Sequence, residues 1–356
     1  MARHAWIAGT LSVAKHVAVW ALALGLHTAL TSDASIPFAV VNGGLIGLMV
    51  GIAERAFLDG ALRRRRRRPF MAVIAQRAAV YTTCWVTSAV VIVGTVLATS
   101  EWSLANLSGD DPRQEDFWAY YNSFRPTNIS LQGALGVAFL LSFARQVNAL
   151  LGKGVLLKYV LGKYHRPRTE ERVFMFLDLN SATTIAEQLG PERYSEFLCD
   201  FFFDIGDEVA RASGEIVQYV GDEVVITWTM AGAVRRSNCV AFFYAVAGRI
   251  QKSKPAYMAK FGVCPDFKAG VHSGQIVVAE VGKERREIAY HGDTMNTAAR
   301  IRSACHDVGA NLLVSDALLA RLDLPADIHA QAVGPLRLSG RDEPVDVHSV
   351  SIGPAD

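Results

Sequence analysis

An N-terminal all-α transmembrane four-helix domain, joined to a C-terminal α+β domain, is the fold class this sequence predicts. Three observations predict it. Residues 1–151 hold four apolar stretches near bilayer length; six consecutive arginines, residues 63–68, lie between the second and third; beyond residue 168, short apolar runs alternate with longer amphipathic ones. The composition agrees: 51% of the 356 residues are hydrophobic and mean hydropathy is positive. Such a chain is too apolar to be wholly soluble and too long for one small domain. The formal net charge is only +2, so the clustering of charge carries the information. The arginine run reads as a topology signal, and no nucleic acid is expected as a partner.

The expected spans are residues 6–30, 36–53, 72–99 and 129–151, each near the roughly 20 residues a crossing helix needs. Lys15 and His16 interrupt the first, and Arg145 follows the short apolar core of the fourth. Basic loops mark the cytoplasmic side, whereas the loop between spans three and four carries Asp110, Asp111, Glu115 and Asp116. The expected localisation is therefore the inner membrane, multi-pass, with both termini cytoplasmic and the lipid bilayer as a partner. Cleavage of residues 1–30 as a signal peptide would leave the C-terminal half on the same side. The cluster Phe117, Trp118, Tyr120 and Tyr121 fits an interfacial belt or a small extracellular cap. Lys15 and Arg77 are near enough to span ends to snorkel, and His16 and His27 fit hydrogen bonding better than haem or metal ligation. Gly43, Gly44, Gly47 and Gly51 permit close helix approach, within one chain or between two. The five cysteines, Cys84, Cys199, Cys239, Cys264 and Cys305, have no paired spacing and read as reduced core residues.

After the fourth span, Val147, Leu150, Gly154, Leu157, Leu161 and Tyr164 recur at heptad spacing. This predicts a helical linker over residues 152–168 that meets its counterpart in a dimer. Gly152, Gly154 and Gly162 lower helix propensity enough to keep a bent connector as the alternative, and Pro167 ends the segment.

The C-terminal pattern predicts a strand at 172–178, a helix at 184–212, strands at 215–220 and 223–229, and a helix at 232–251. Strands at 266–273 and 275–281, a helix at 294–307 and further strands to 351 complete an α+β sheet with helices on one face. Asp178 ends the first strand, and Asp222 sits in the turn of a hairpin that would bring it alongside. Two carboxylates suit a hard divalent cation. Asn296 and Arg300, four residues apart, share one helix face. Each group has a plainer role open to it: Asp178 as a helix cap, Gly221-Asp222 as an ordinary turn, Asn296 as a first-turn residue and Arg300 as a solvated charge.

The segments VFMFLDLNSATT, QYVGDE and TMNTAARIR together resemble, in order and spacing, the catalytic domain of class III nucleotidyl cyclases of the membrane-anchored bacterial type. The resemblance spans residues 168–352. It implies a ferredoxin-like palm over residues 169–356 that converts ATP to cyclic AMP and pyrophosphate by attack of the ribose 3′ hydroxyl on the α-phosphate. It also implies two Mg2+ per site, with Mn2+ able to substitute. Asp178 and Asp222 would hold the metals, with the backbone carbonyl of Leu179, while the amides of Asn180, Ser181, Ala182 and Thr183 cradle phosphates at a helix start. Asn296 would orient the ribose and Arg300 would stabilise the developing charge on phosphorus. In this family the acids of one chain meet the Asn-Arg pair of another, so a homodimer with two equivalent sites is implied. The linker resembles the connector of membrane-bound cyclases, and the membrane domain would be an anchor and, as a further use, a receptor for an unidentified ligand.

The family pattern is broken at the purine pocket. Gln218 stands where adenylyl cyclases carry a base-reading lysine, and Ala289 where aspartate or threonine is usual. An amide can donate or accept, so Gln218 admits guanine as well as adenine. The family's phosphate-binding lysine has no match in RLSGRDEP, where Arg341 or Arg337 is the expected substitute. ATP remains the expected substrate, with a guanylate cyclase or a catalytically silent nucleotide-binding signalling protein as alternatives. The GDEVV turn also resembles that of diguanylate cyclases, which lack the downstream Asn-x-x-x-Arg helix. A channel or transporter fits less well, because the four apolar stretches show no internal repeat.

Overall fold

The computed structural model describes residues 13–23, 25–26, 36–54, 70–99, 131–152, 154–336 and 344–353. The chain divides into two compact units, Met1–Leu150 and Leu151–Asp356.

In the first unit residues 13–23 are helical and precede α1 (Ile36–Ala53), α2 (Phe70–Thr99) and α3 (Leu131–Leu151). The glycine-rich face of α1 is used within the chain. A Cβ added at Gly43 would lie 2.5 Å from the Trp20 carbonyl oxygen, and one at Gly47 2.5 Å from that of His16. Trp20 packs edge-on against Tyr81, with ring centroids 5.9 Å apart, among Ile46 and Val50. Beside this apolar cluster lies a buried polar one. Glu54 takes Arg145 Nη1 at 2.5 Å and Arg77 Nε at 4.0 Å and accepts from the Tyr81 hydroxyl, and Arg145 Nη2 lies 2.6 Å from His16 Nε2. Arg77 is thus turned inward rather than snorkelling. Leu22, Val41, Ile52, Val90 and Leu140 stand exposed on the unit's exterior.

Among the described residues no helix is long and apolar enough to cross a membrane. This overturns the expected transmembrane four-helix domain, and with it the multi-pass inner-membrane localisation. The 18 residues of α1 reach about 27 Å, short of a hydrocarbon core of about 30 Å. The longer α2 is interrupted by Gln76, Arg77, Thr82, Thr83, Thr87 and Ser88, and α3 by Ser142, Arg145, Gln146 and Asn148. Average hydropathy overlooked these polar groups. His27, the arginine run, the acidic loop and the aromatic cluster of residues 117–121 lie outside the described residues, as do residues 6–12, 24 and 27–30 of the first expected span.

The second unit opens with a short helix, α4 (Val155–Val160). It is short because Gly152, Gly154 and Gly162 take positive φ values of 97°, 81° and 60°, a conformation that ends helical turns and suits glycine. The heptad pattern therefore yields six helical residues beyond Gly154, the bent connector of the two alternatives.

Then follow β1 (Arg168–Leu179), α5 (Ala182–Leu189), α6 (Pro191–Arg211), β2 (Glu215–Val220), β3 (Glu223–Thr229), α7 (Met230–Val234) and α8 (Asn238–Phe261). The chain closes through β4 (Phe267–Val281), β5 (Glu287–His291), α9 (Asp293–Val308), β6 (Leu312–Ser315), α10 (Asp316–Leu319), β7 (Ile328–Leu336) and β8 (Val345–Ile352). The sheet runs β2-β3-β1-β4-β6-β8-β7, with β5 paired to β4. The β4–β6 pairing is parallel and the others are antiparallel, a mixed palm sheet.

Central β1 is buried on both faces, which explains its unbroken apolar run. Val173, Met175, Leu177 and Leu179 join Phe197, Phe201 and Ile205 of α6 and Phe242, Phe243 and Val246 of α8 in the main core. Phe174 and Phe176 face the other way, against Tyr164, Ile276, Val278 and Ala298 of α9. Helices therefore cover both faces, not one as the pattern predicted. On this second face Arg172, 1% exposed, is held by Glu170 at 3.0 Å and Glu215 at 3.3 Å, donates to the Tyr164 hydroxyl and lies over the Tyr290 ring. These contacts fasten the connector to the sheet. The predicted helix 184–212 is two helices, because Gly190 at φ 73° breaks it and Pro191 restarts it. The predicted strands 266–273 and 275–281 are one strand, β4. Its Gly274 does not turn the chain but makes room for Thr294, whose Oγ1 would lie 2.6 Å from an added Cβ.

Candidate active site

The β strands settle which side chains meet. With odd positions of β1 committed to the main core, Asp178 faces α9 with Phe174 and Phe176. Its register partners are Glu223 on β3 and Lys268 on β4, so the strand pairing sets a carboxylate and an ammonium beside it. Asp222 occupies the two-residue turn between Val220 and Glu223, which pair directly, and Gly221 supplies the positive φ, 61°, that such a turn requires.

The structure brings Asp178 and Asp222 together. Burial pushes the Asp222 carboxyl above its ordinary range, and the neighbouring Asp178 charge adds to the shift. Glu223 is likewise raised, first by burial and then by Asp178 and Asp222 against the opposing pull of Arg302. Tyr194 on α6 shares this surrounding: burial and the charges of Asp222 and Asp178 raise its phenol. Two cations answer the three acids. Lys268 Nζ lies 3.3 Å from Asp178 Oδ2, and Arg302 sets Nη1 3.1 Å from the same oxygen and Nη2 2.7 Å from Glu223 Oε2.

Among the described residues no three acidic, histidine or cysteine side chains cluster as a metal cage. The donor set is instead a carboxylate pair, Asp178 and Asp222, whose mutual repulsion a divalent cation would relieve. Magnesium, which keeps water and substrate oxygens among its ligands, fits such an incomplete set. Leu179, whose carbonyl was expected to add a ligand, is 2% exposed at the end of β1.

Past β1 the chain turns through Ser181, at φ 55°. The Asn180 amide donates to the Asp266 carbonyl at 2.8 Å; its side chain donates to Asp266 Oδ2 at 2.8 Å and accepts from Lys268 Nζ at 3.1 Å. Asn180 therefore braces the loop. Ala182 and Thr183 form the first turn of α5, where amides have no intrahelical acceptor.

Asn296 and Arg300 ride on α9, Asn296 exposed and Arg300 half-buried. The cation that touches Asp178 is Arg302 rather than Arg300. Two residues correspond to about 200° of helix rotation, so these arginines leave α9 on opposite sides. Arg300 Nη1 is buried without a hydrogen-bond partner among the described residues. Gln218 is exposed on β2 and Ala289 half-buried on β5 opposite Ala279. Arg337 and Arg341 lie outside the described residues.

Sequence reasoning missed Arg302, Lys268, Glu223 and Tyr194. The spacing of Arg300 and Arg302 signalled two opposite faces. Nothing local signalled Lys268, which strand register alone places.

Known proteins resemble this chain in sequence and in fold. Over 208 residues the chain is 36% identical to "Adenylate cyclase 2" of Rhizobium meliloti (strain 1021), covering 58% of this chain and 57% of that one. It is 34% identical over 157 residues to "Adenylate cyclase 1" of the same organism, covering 43% of this chain and 23% of that one. The chain thus spans little more than half the length of the first relative and about a quarter of the second. A bacterial light-regulated adenylyl cyclase structure superposes with a TM-score of 0.51 at 15% identity, over 64% of this chain and 66% of that one, a likeness of fold. Residues 165–350, from the connector's last turn into β8, match the adenylate and guanylate cyclase catalytic domain, and to that family the chain belongs.

Proposed function

We propose that the chain is an adenylate cyclase, forming cyclic AMP and pyrophosphate from ATP at a site shared between two copies. The observation that carries this reading is the convergence of Asp178 and Asp222 on one cleft, while Arg300 on the far side of α9 keeps a buried guanidinium nitrogen with no hydrogen-bond partner among the described residues. Such a buried nitrogen is suited to a phosphate held by a second chain. Asp178 and Asp222, with the Leu179 carbonyl, would hold Mg2+ or Mn2+, which supplies Lewis-acid charge to the 3′ oxygen and the triphosphate.

The remaining roles belong to the protein. Amides of Ser181, Ala182 and Thr183 at the start of α5 receive phosphate oxygens, as exposed first-turn N–H groups do. Asn296 orients the ribose so that its 3′ oxygen approaches the α-phosphorus in line with the leaving pyrophosphate; the hydroxyl proton passes to solvent. Arg300 from the second chain stabilises the charge that builds on the phosphoryl oxygens. Gln218 and Ala289 would flank the purine, and Arg341 would bind phosphate.

The curated relatives named as adenylate cyclases favour ATP. The exposed amide of Gln218 keeps GTP as the second reading, because it can accept from or donate to either purine edge. Turnover of the purified full chain with ATP and GTP side by side, in Mg2+ and in Mn2+, tests both. Cyclic AMP as the main product supports the proposal, cyclic GMP moves the assignment to guanine, and no product with either nucleotide leaves a silent nucleotide-binding protein.

A further inference from the structure

Asp178 is held on a single oxygen by two side-chain cations. Lys268 belongs to the sheet and also anchors Asn180. Arg302 differs: it comes from α9 and spans two carboxylates that face one another across the β1–β3 register, Asp178 at 3.1 Å and Glu223 at 2.7 Å. Like charges directly opposite on paired strands repel, and the guanidinium bridges them, with a hydrogen bond to Asp178 and an ion pair to Glu223. Its backbone is seated tightly, since a Cβ at Gly270 of β4 would lie 2.1 Å from the Arg302 amide nitrogen. The side chain is 24% exposed, so its charge is partly shielded from water at the edge of the cleft.

We propose that Arg302 is a resident counter-ion that competes with the divalent cation for Asp178, so that it sets the cleft's metal affinity. A cation approaching Asp178 meets the positive charge of Arg302 and an oxygen already bonded. Binding there exchanges the Arg302–Asp178 contact for a metal–carboxylate one, while Glu223 retains the guanidinium. Because Arg302 shares α9 with Asn296 and Arg300, the exchange takes place on the helix that carries both. Arg302 is thus a positioning residue, acting on the metal through Asp178. The proposal rests on the assignment of Asp178 as a metal ligand.

The test is Mn2+ binding to the purified full chain without nucleotide, read from the electron paramagnetic resonance signal of free Mn2+. Removing the competitor in Arg302→Gln is expected to tighten Mn2+ binding about tenfold, the size of one charge-assisted hydrogen bond. Arg302→Lys keeps the charge but cannot bridge both acids, and is expected to tighten binding about threefold. It carries the test if circular dichroism shows Arg302→Gln unfolded. Asp178→Asn is expected to lose the site. Unchanged or weaker Mn2+ binding in the Arg302 variants, with loss in Asp178→Asn, overturns the counter-ion proposal and leaves the metal assignment standing. Undiminished binding in Asp178→Asn overturns the metal assignment itself and the proposal with it.

Discussion

At the scale of single residues, Asp222 is held against its own chemistry. Its carboxyl is raised above the ordinary 3.8 by burial and by Asp178, so without metal the folded state holds that proton more tightly than the unfolded chain. Stability contributed by the protonated form is therefore present at low pH and lost as pH rises from about 4 through the raised folded value. In chelator, thermal melts of the wild type between pH 4 and 8 should fall relative to Asp222→Asn, whose amide does not ionise. The same substitution should lower cyclisation by about a hundredfold or more while leaving the fold intact, because a metal ligand is lost. Normal turnover in that variant would falsify the metal assignment. The cysteines offer a second check. Burial pushes the Cys239 thiol up to about 12 and the Cys305 thiol up to about 11, and both are enclosed, whereas Cys199 is exposed on α6. Iodoacetamide at pH 8 followed by mass spectrometry should label Cys199 and spare Cys239 and Cys305 in the native protein. The expectation that all five cysteines are core residues fails at Cys199, whose helix turns it outward.

Among the elements, α9 matters most, and its position depends on one glycine. Gly270 lies under the helix with the Arg302 nitrogen and Ala298 oxygen within 2.1 and 2.7 Å of where a Cβ would stand. Because those atoms are backbone, no rotamer change relieves the overlap. Gly270→Ala should therefore destabilise the domain by about 1–3 kcal/mol, the range for overpacking. It should also weaken activity more than stability, since α9 carries Asn296, Arg300 and Arg302. Denaturant midpoints and turnover measured on one preparation separate the two effects. The elements also explain what could be read from the sequence. β1, β2, β3 and α9 were legible because their apolar periodicity is local, whereas the single helix expected at 232–251 is split between α7 and α8 by a turn at Arg235–Ser237. The break at Gly190 and the continuity of β4 through Gly274 were not: whether a glycine turns the chain or only makes room depends on what packs against it.

For the whole molecule, the site residues divide into two groups that one chain does not bring to a common point. Asp178 and Asp222 lie with Arg302, and Arg300 leaves the opposite side of α9. The proposed site shared between two copies would account for the division. Chains bearing Asp178→Ala and chains bearing Arg300→Ala should each be inactive alone. Mixed under random exchange, they should regain about a quarter of wild-type turnover, because half the dimers are hybrids and each hybrid has one intact site. No recovery in verified heterodimers would place both groups in one chain. The N-terminal unit offers a lesson of another kind. Its hydropathy implied four membrane crossings, yet His16, Glu54, Tyr81 and Arg145 form a polar cluster among its helices, and no described helix is long and apolar enough to cross a membrane.

By itself the sequence determined the palm's central strands, the hairpin that carries Asp222, the helix that carries Asn296 and Arg300, and the family these motifs signal. These are local matters of side-chain period, turn chemistry and the spacing of a few polar residues. Only the tertiary structure decided that Lys268 and Arg302 close on Asp178, that helices cover both faces of β1, and that the polar residues of the N-terminal helices meet inside. Those pairings join residues up to 129 positions apart in the chain. Strand register and helix seating, rather than any pattern along the backbone, bring them within hydrogen-bonding reach.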